Sequence, residues 1–155
     1  MKKIPSITVP IIDKKDTYSS NLFELLSNKK VVIFGVPGAF TPTCSENHLP
    51  SFIKLYDQIK NKNIDDIYCL AVNDKFVMES WLSSYSDGRK IKGIADGNAE
   101  ISKALELTSD KTLNFMGLRC KRFAMIVHNS NIIKIFIEET GKFEITSANN
   151  ILKYI

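Results

Sequence analysis

Cysteine, histidine and arginine are all scarce in this sequence, and each shortage narrows what the chain can be. The three cysteines, Cys44, Cys69 and Cys120, are odd in number and widely spaced, which makes a poor disulfide framework. They fit a reducing compartment, the cytoplasm or an organelle matrix reached by a transit peptide since trimmed away, where a thiol is kept for reactivity or simply buried. There is no C-x-x-C pair and no H-x-x-x-H pair, which argues against zinc and against a thioredoxin-type dithiol centre. The reading calls for no metal and no cofactor. No apolar run is long enough to cross a bilayer, and the opening Met1-Lys2-Lys3-Ile4-Pro5 is not followed by the apolar stretch of a secretory signal. Positive charge is mild, a net +4, and the lysines are scattered. Neither nucleic acid nor a membrane is therefore expected as a partner.

What is present is an ordinary globular composition: 155 residues, 44% apolar and 25% charged. That is enough for one domain, 1–155, with a core that needs no disulfide staples. Ile7 to Ile12 reads as a strand broken by Pro10, and Asn21 to Leu26 as a short helix capped by Ser20. Val31 to Phe34, Ile67 to Val72 and Ile91 to Ala95 are continuous apolar runs that read as buried strands. Between them, Leu49, Phe52, Ile53, Tyr56 and Ile59 give one helical apolar face, and Phe76, Val77, Trp81 and Tyr85 another. Ile101, Ala104 and Leu105 mark a third helix. Phe123 to Val127 and Ile132 to Ile137 read as a hairpin joined by His128-Asn129-Ser130-Asn131, and Asn149 to Tyr154 as a closing helix. This alternation predicts an α/β fold, a mixed sheet with helices on both faces. The loop after Val31 to Phe34 is the obvious place for chemistry.

That loop runs Pro37-Gly38-Ala39-Phe40-Thr41-Pro42-Thr43-Cys44. Thr41 suits a helix N-cap and Pro42 the first helical position, which places Cys44 in the first helical turn. Free N–H groups and the positive end of the helix dipole favour a thiolate there. They also favour the oxygen that turns negative when a peroxide bond breaks. The Thr41 hydroxyl, one turn earlier, can donate to sulfur or to a bound peroxide. On these residues alone, Cys44 reads equally well as a small buried hydrophobe, and Arg122 reads better as a surface ion-pairing residue.

Pro37-x-x-x-Thr41-x-x-Cys44 resembles the active-site signature of the peroxiredoxins, and the run GVPGAFTPTCSENHLPSF, Gly35 to Phe52, is similar to their Prx5 subfamily. The likeness continues through CLAVNDKFVMESW, Cys69 to Trp81, and KRFAMIV, Lys121 to Val127. The resemblance implies a thioredoxin-like fold and reduction of hydrogen peroxide, alkyl hydroperoxides and often peroxynitrite. It implies that Cys44 is the peroxidatic cysteine, that Thr41 orients peroxide and sulfur, that Pro37 shields the pocket and that Arg122 is the active-site arginine. Thr43 and Gly38 are carried with them as substrate-binding positions. A homodimer is implied too.

Cys69 lies in a buried-strand pattern. Cys120, two residues before Arg122, is close enough to approach the site, although packing as a small apolar residue is preferred. Some relatives of this kind carry a resolving cysteine near the C-terminus, where this chain has Glu144-Ile145-Thr146-Ser147. The expectation is therefore a one-cysteine cycle, closed by glutathione with glutaredoxin, or by thioredoxin. His48, four residues after Cys44, is a candidate base, with a partly exposed surface histidine the preferred alternative. Arg119 is a secondary candidate. Pro50 should kink the helix or remove a backbone bond. A redox-regulated binding protein, a glutathione-dependent thiol transferase and a non-enzymatic basic adaptor are the rival readings.

Overall fold

The computed structural model describes residues 2–155. Its centre is a seven-stranded mixed sheet. The strands are β1 (Thr8–Asp13), β2 (Asp16–Asn21), β3 (Lys30–Gly35), β4 (Asp66–Ala71), β5 (Lys92–Ala95), β8 (Phe123–His128) and β9 (Asn131–Ile137), in the order β2-β1-β5-β4-β3-β8-β9. Strands β3, β4 and β5 are parallel. The remaining pairs are antiparallel. The three parallel strands are the three continuous apolar runs of the sequence, as burial on both faces requires.

Each face carries its own core. On one, Phe34, Cys69 and Ala71 meet Leu49 and Phe52 of α2 (Leu49–Lys54), Ile59 of α3 (Tyr56–Lys60), Trp81 of α4 (Lys75–Ser83) and Ile151 of α6 (Ala148–Leu152). On the other, Ile33, Leu70 and Ile94 meet Leu22 of α1 (Leu22–Leu25) and Ile101 of α5 (Glu100–Ala104). The alternation of side chains along each strand accounts for the division: Phe34 goes one way, Ile33 the other.

Several expectations are met and several are corrected. The β8–β9 hairpin forms, with Asn129 and Ser130 both at positive φ (49° and 59°) between the paired His128 and Asn131. Two successive left-handed residues match the twist of a two-residue hairpin. Pro10 does not break β1, whose pairing with β5 begins only at Ile11. Ser20 is not the cap of α1: it belongs to β2, and Asn21 takes the amide of Glu24. The apolar face from Leu49 to Ile59 is shared by two helices that meet at Leu55. Phe76 points outward, and Met78 and Leu82 join Trp81 in its place. Sequence patterning also overlooks β2 and a small separate hairpin, β6 (Thr108–Lys111) with β7 (Gly117–Cys120). β2 and β6 are polar, and β7 has only four residues, too few for its Leu118 and Cys120 to show the sustained apolar alternation that marks a half-buried strand.

Candidate active site

Strand pairing brings the two ends of the site together. Gly35, the last residue of β3, faces Phe123, the first of β8. A side chain at Gly35 is impossible without movement, because a Cβ there would sit 2.0 Å from the Phe123 ring. This close approach sets Arg122, immediately before β8, beside the loop that leaves β3. The loop is tied down at several points. The Val36 amide donates to Leu70 O at 3.0 Å, and the Ala39 amide to Asn73 Oδ1 at 3.0 Å. Phe40 turns the chain in the left-handed region at φ 63°, a strain that such loops hold only when fixed from several sides.

The helix begins at Pro42, and its first main-chain bond runs from the Ser45 amide to Thr41 O at 2.9 Å. Thr41 thus starts the helix through its carbonyl. Its hydroxyl does not cap; it turns back and donates to Gly38 O at 2.7 Å. Cys44 stands in the first turn, fully buried, and opens a π-helical segment, Cys44–His48, that runs into α2. Here the Leu49 amide donates to Cys44 O, five residues back. Pro50 has no N–H to offer, so Ser45 O receives no donor from the helix. The Tyr85 hydroxyl takes that place at 2.6 Å, while Trp81 Nε1 donates to Ser45 Oγ at 3.0 Å. The backbone disturbance expected at Pro50 is this π turn, a device common at functional sites.

Arg122 spans two partners. One terminal nitrogen donates to Cys44 Sγ at 3.2 Å and the other lies 3.0 Å from His48 Nδ1. His48 is not a partly exposed surface residue. It is fully buried, with its ring against Phe34, Phe52 and Phe143. Its Nε2 is 2.9 Å from Thr146 O. A carbonyl can only accept, so Nε2 carries the hydrogen and Nδ1 is left to accept from Arg122. Burial, reinforced by the Arg122 charge and only partly opposed by Thr146 O, lowers the His48 pKa to about 3. His48 is therefore a neutral acceptor with both nitrogens occupied, which corrects its reading as a base. Thr146 is held in turn by Glu138, whose Oε2 accepts from the Thr146 amide and hydroxyl and from the Glu144 amide. Burial would raise the Glu138 pKa, but these bonds outweigh it and keep the carboxylate ionised. Sequence reading misses Glu138, Phe143 and Thr146, because nothing local connects them to a cysteine a hundred residues away.

A cleft of about 710 Å³ opens over the site, with Pro37, Thr41, Thr43 and Arg122 on its lining. Gly38 does not line it. It is buried, and a Cβ there would come within 3.0 Å of the Arg119 guanidinium. Arg119 donates to Met116 O at 2.9 Å and is not on the cleft lining. Cys120 is fully buried, and its thiol donates to Val36 O at 3.1 Å. Cys69 is fully buried in β4. Burial pushes both thiols well up, toward the protonated form. A thiol with a guanidinium at hydrogen-bond distance, a hydroxyl one turn away and a cleft above it is arranged for nucleophilic attack on a substrate whose leaving atom becomes negative.

Residues 2–152 match the Redoxin family. The chain is 39% identical over 151 residues to Peroxiredoxin-2D of Arabidopsis thaliana, covering 97% of this chain and 93% of that one. Among solved structures, reduced Prx3 of Vibrio vulnificus in complex with hydrogen peroxide superposes with a TM-score of 0.92 at 40% identity, over 99% of this chain and 92% of that one. The 1-Cys peroxiredoxin antioxidant protein of Plasmodium falciparum gives 0.91 at 38%, over 99% and 95%. The sheet with helices on both faces is thus the thioredoxin-like fold. No helix among the described residues is long and apolar enough to cross a membrane. The chain belongs to the redoxin family and, within it, to the Prx5-like peroxiredoxins, which are thiol peroxidases.

Proposed function

We propose that the chain is a one-cysteine peroxidase acting on hydrogen peroxide and alkyl hydroperoxides, and on peroxynitrite, with Cys44 as the attacking thiol. The observation that carries this reading is the 3.2 Å contact between Cys44 Sγ and Arg122, which itself lines an open cleft. The Cys44 thiolate attacks the near oxygen of R–O–O–H, the O–O bond breaks, and Cys44 becomes a sulfenic acid while RO⁻ leaves and takes a proton as ROH. Arg122 stays charged throughout and donates to the oxygen on which negative charge grows. The Thr41 hydroxyl, in place through Gly38 O, orients the peroxide; Thr43 contacts it from the cleft lining, and Pro37 keeps water from the sulfur.

The sulfenic acid is resolved by an external thiol, glutathione with glutaredoxin, or alternatively thioredoxin. Two observations support this: the burial of Cys69 and Cys120 as thiols, the latter engaged with Val36 O, and the absence of cysteine from Glu144 to Ser147. The chain works as a single domain and as a homodimer; Leu113 and Phe115, 96% and 99% exposed between β6 and β7, offer apolar surface for such a pairing.

Stopped-flow mixing of reduced protein with one equivalent of hydrogen peroxide tests the reading. Trp81 is a built-in reporter, bonded to the residue next to Cys44. A fast fluorescence change that adds one oxygen to the intact mass, absent from Cys44→Ser, is the expected result. A Cys69→Ser, Cys120→Ser double variant that oxidises normally yet fails to turn over with glutathione would sink the one-cysteine cycle.

A further inference from the structure

The cleft above Cys44 carries more positive charge than the chemistry at its base uses. Six charged side chains line it: Lys111, Lys121, Arg122, Lys142, Glu138 and Glu139. Four are already engaged. Lys142 pairs with Glu139 at 2.9 Å, Glu138 accepts from the Glu144 and Thr146 backbone and the Thr146 hydroxyl, and Arg122 is divided between Cys44 and His48. Lys111 and Lys121 are left over. Among the described residues, neither has a carboxylate within ion-pairing distance. They stand at opposite ends of the β6–β7 hairpin, Lys111 at its turn end, paired with Gly117, and Lys121 just past Cys120, which pairs with Thr108, so the cleft lining has an ammonium group toward each end of that hairpin. Lys121 is fixed there by its amide, which donates to Leu107 O at 2.7 Å.

A neutral peroxide gains nothing from two such ammonium groups. A reductant bearing carboxylates does. The cleft volume is within the ~300–1,000 Å³ of small-molecule sites, wide enough for a short peptide and not only for a peroxide. We propose that Lys111 and Lys121 form a docking site for the carboxylates of a small anionic peptide thiol of the glutathione type, and so select the reductant. This deepens the reading of Cys44 as the oxidised thiol and rests on it. In the resolving step the bound thiolate attacks the Cys44 sulfenic sulfur. An S–S bond forms, the S–O bond breaks and hydroxide leaves as water with one proton. A second thiolate then attacks the mixed disulfide, releasing the Cys44 thiolate and the disulfide of the small thiol.

Binding is tested apart from catalysis with S-methylglutathione, which cannot react, titrated into the reduced full-length protein and followed by amide chemical shifts. Shifts around Lys111, Lys121 and Thr43 are expected. They should weaken at least fivefold with the S-methylglutathione diethyl ester, whose carboxylates are capped, and with added salt. A Lys111→Gln, Lys121→Gln double variant should bind the two probes alike, and Lys54→Gln, outside the cleft, should bind as the parent does. Equal binding of probe and ester by the parent, no binding at millimolar probe, or undiminished discrimination in the double variant overturns the proposal; no binding together with rapid reduction by glutaredoxin would assign the lysines to a protein reductant instead. Oxidation by hydrogen peroxide, measured on the same sample, judges the peroxidase reading separately, because the probe binds or fails to bind whether or not Cys44 is fast.

Discussion

Arg122 and His48 are joined at 3.0 Å through a histidine nitrogen that can only accept, because the other nitrogen is committed to Thr146 O. The guanidinium is thereby held in the one orientation that also reaches Cys44 Sγ. Arg122→Lys should lower the rate of Cys44 oxidation about 100-fold, the scale of losing one aligned donor to a developing anion, since a single ammonium cannot span both partners. His48→Ala should lower it about 10-fold by loosening the same guanidinium, and His48→Asn, which keeps an acceptor, should recover part of that loss. Stopped-flow oxidation rates decide both. A His48→Ala enzyme as fast as the parent, with Arg122→Lys slow, would show that Arg122 needs no holding.

The neutral, buried His48 also makes folding depend on pH. Its pKa is lowered to about 3 in the folded chain, from the ordinary 6.5. Between these values the unfolded chain binds the extra proton, so stability rises with pH through the window and is fully present above about 6.5. Falling pH removes it: at pH 5 the loss is about 2 kcal/mol, from ~1.5 pH units at ~1.36 kcal/mol each. Glu138, with its pKa lowered below that of an ordinary carboxyl, adds its own loss only at still lower pH. Urea unfolding at pH 7 and pH 5 should show this difference in the parent and a much smaller one in His48→Gln.

The Gly35–Phe123 approach makes a sharper structural prediction. Gly35→Ala places a methyl group inside the Phe123 ring's space, where neither the sheet register nor the buried ring can yield without shifting β8. A stability loss of about 2 kcal/mol or more is expected, at the upper end for overpacking. Because Arg122 immediately precedes Phe123, oxidation of Cys44 should slow as well. Chemical denaturation and stopped-flow rates measured on the same variant check both effects. Unchanged stability would mean that the ring has room that the packing does not show.

How much of this was legible in the sequence depends on whether the signal is local. The three parallel strands and the β8–β9 hairpin were readable, because continuous burial and turn chemistry leave marks within a few residues. Cys44, Thr41 and Arg122 stood out through their resemblance to a family motif, and the structure brings Cys44 and Arg122 into contact. The burial of His48 was not readable, because it depends on Phe34, Phe52 and Phe143 converging from three separate segments. The same holds for the packing of the Arg119 guanidinium against Gly38, which joins two segments eighty residues apart. Strands β2, β6 and β7 escaped for another reason: polar or four-residue segments pair through backbone groups that every sequence possesses.

The π turn over Cys44–His48 leads to the last prediction. Cys44 is fully buried, so in the proposed one-cysteine cycle an external thiol would reach its sulfenic form only on opening of the first turn. Two features set how readily it does so. Pro50 withholds an N–H from the turn, and the Tyr85 hydroxyl satisfies the Ser45 carbonyl that this leaves bare. Tyr85→Phe removes that bond, worth about 1 kcal/mol net, and should raise amide hydrogen exchange from Ser45 to His48. Pro50→Ala restores a donor and should slow exchange in the same stretch. The consequence for chemistry is opposite in the two variants. Tyr85→Phe should be reduced faster by glutathione, while Pro50→Ala should linger as the sulfenic acid. With excess peroxide, that lingering favours a second oxidation to the sulfinic acid, visible in the intact mass as two added oxygens. Equal exchange and equal sulfinic yield in both variants would mean that the π turn stays closed during turnover and that the thiol enters by another route.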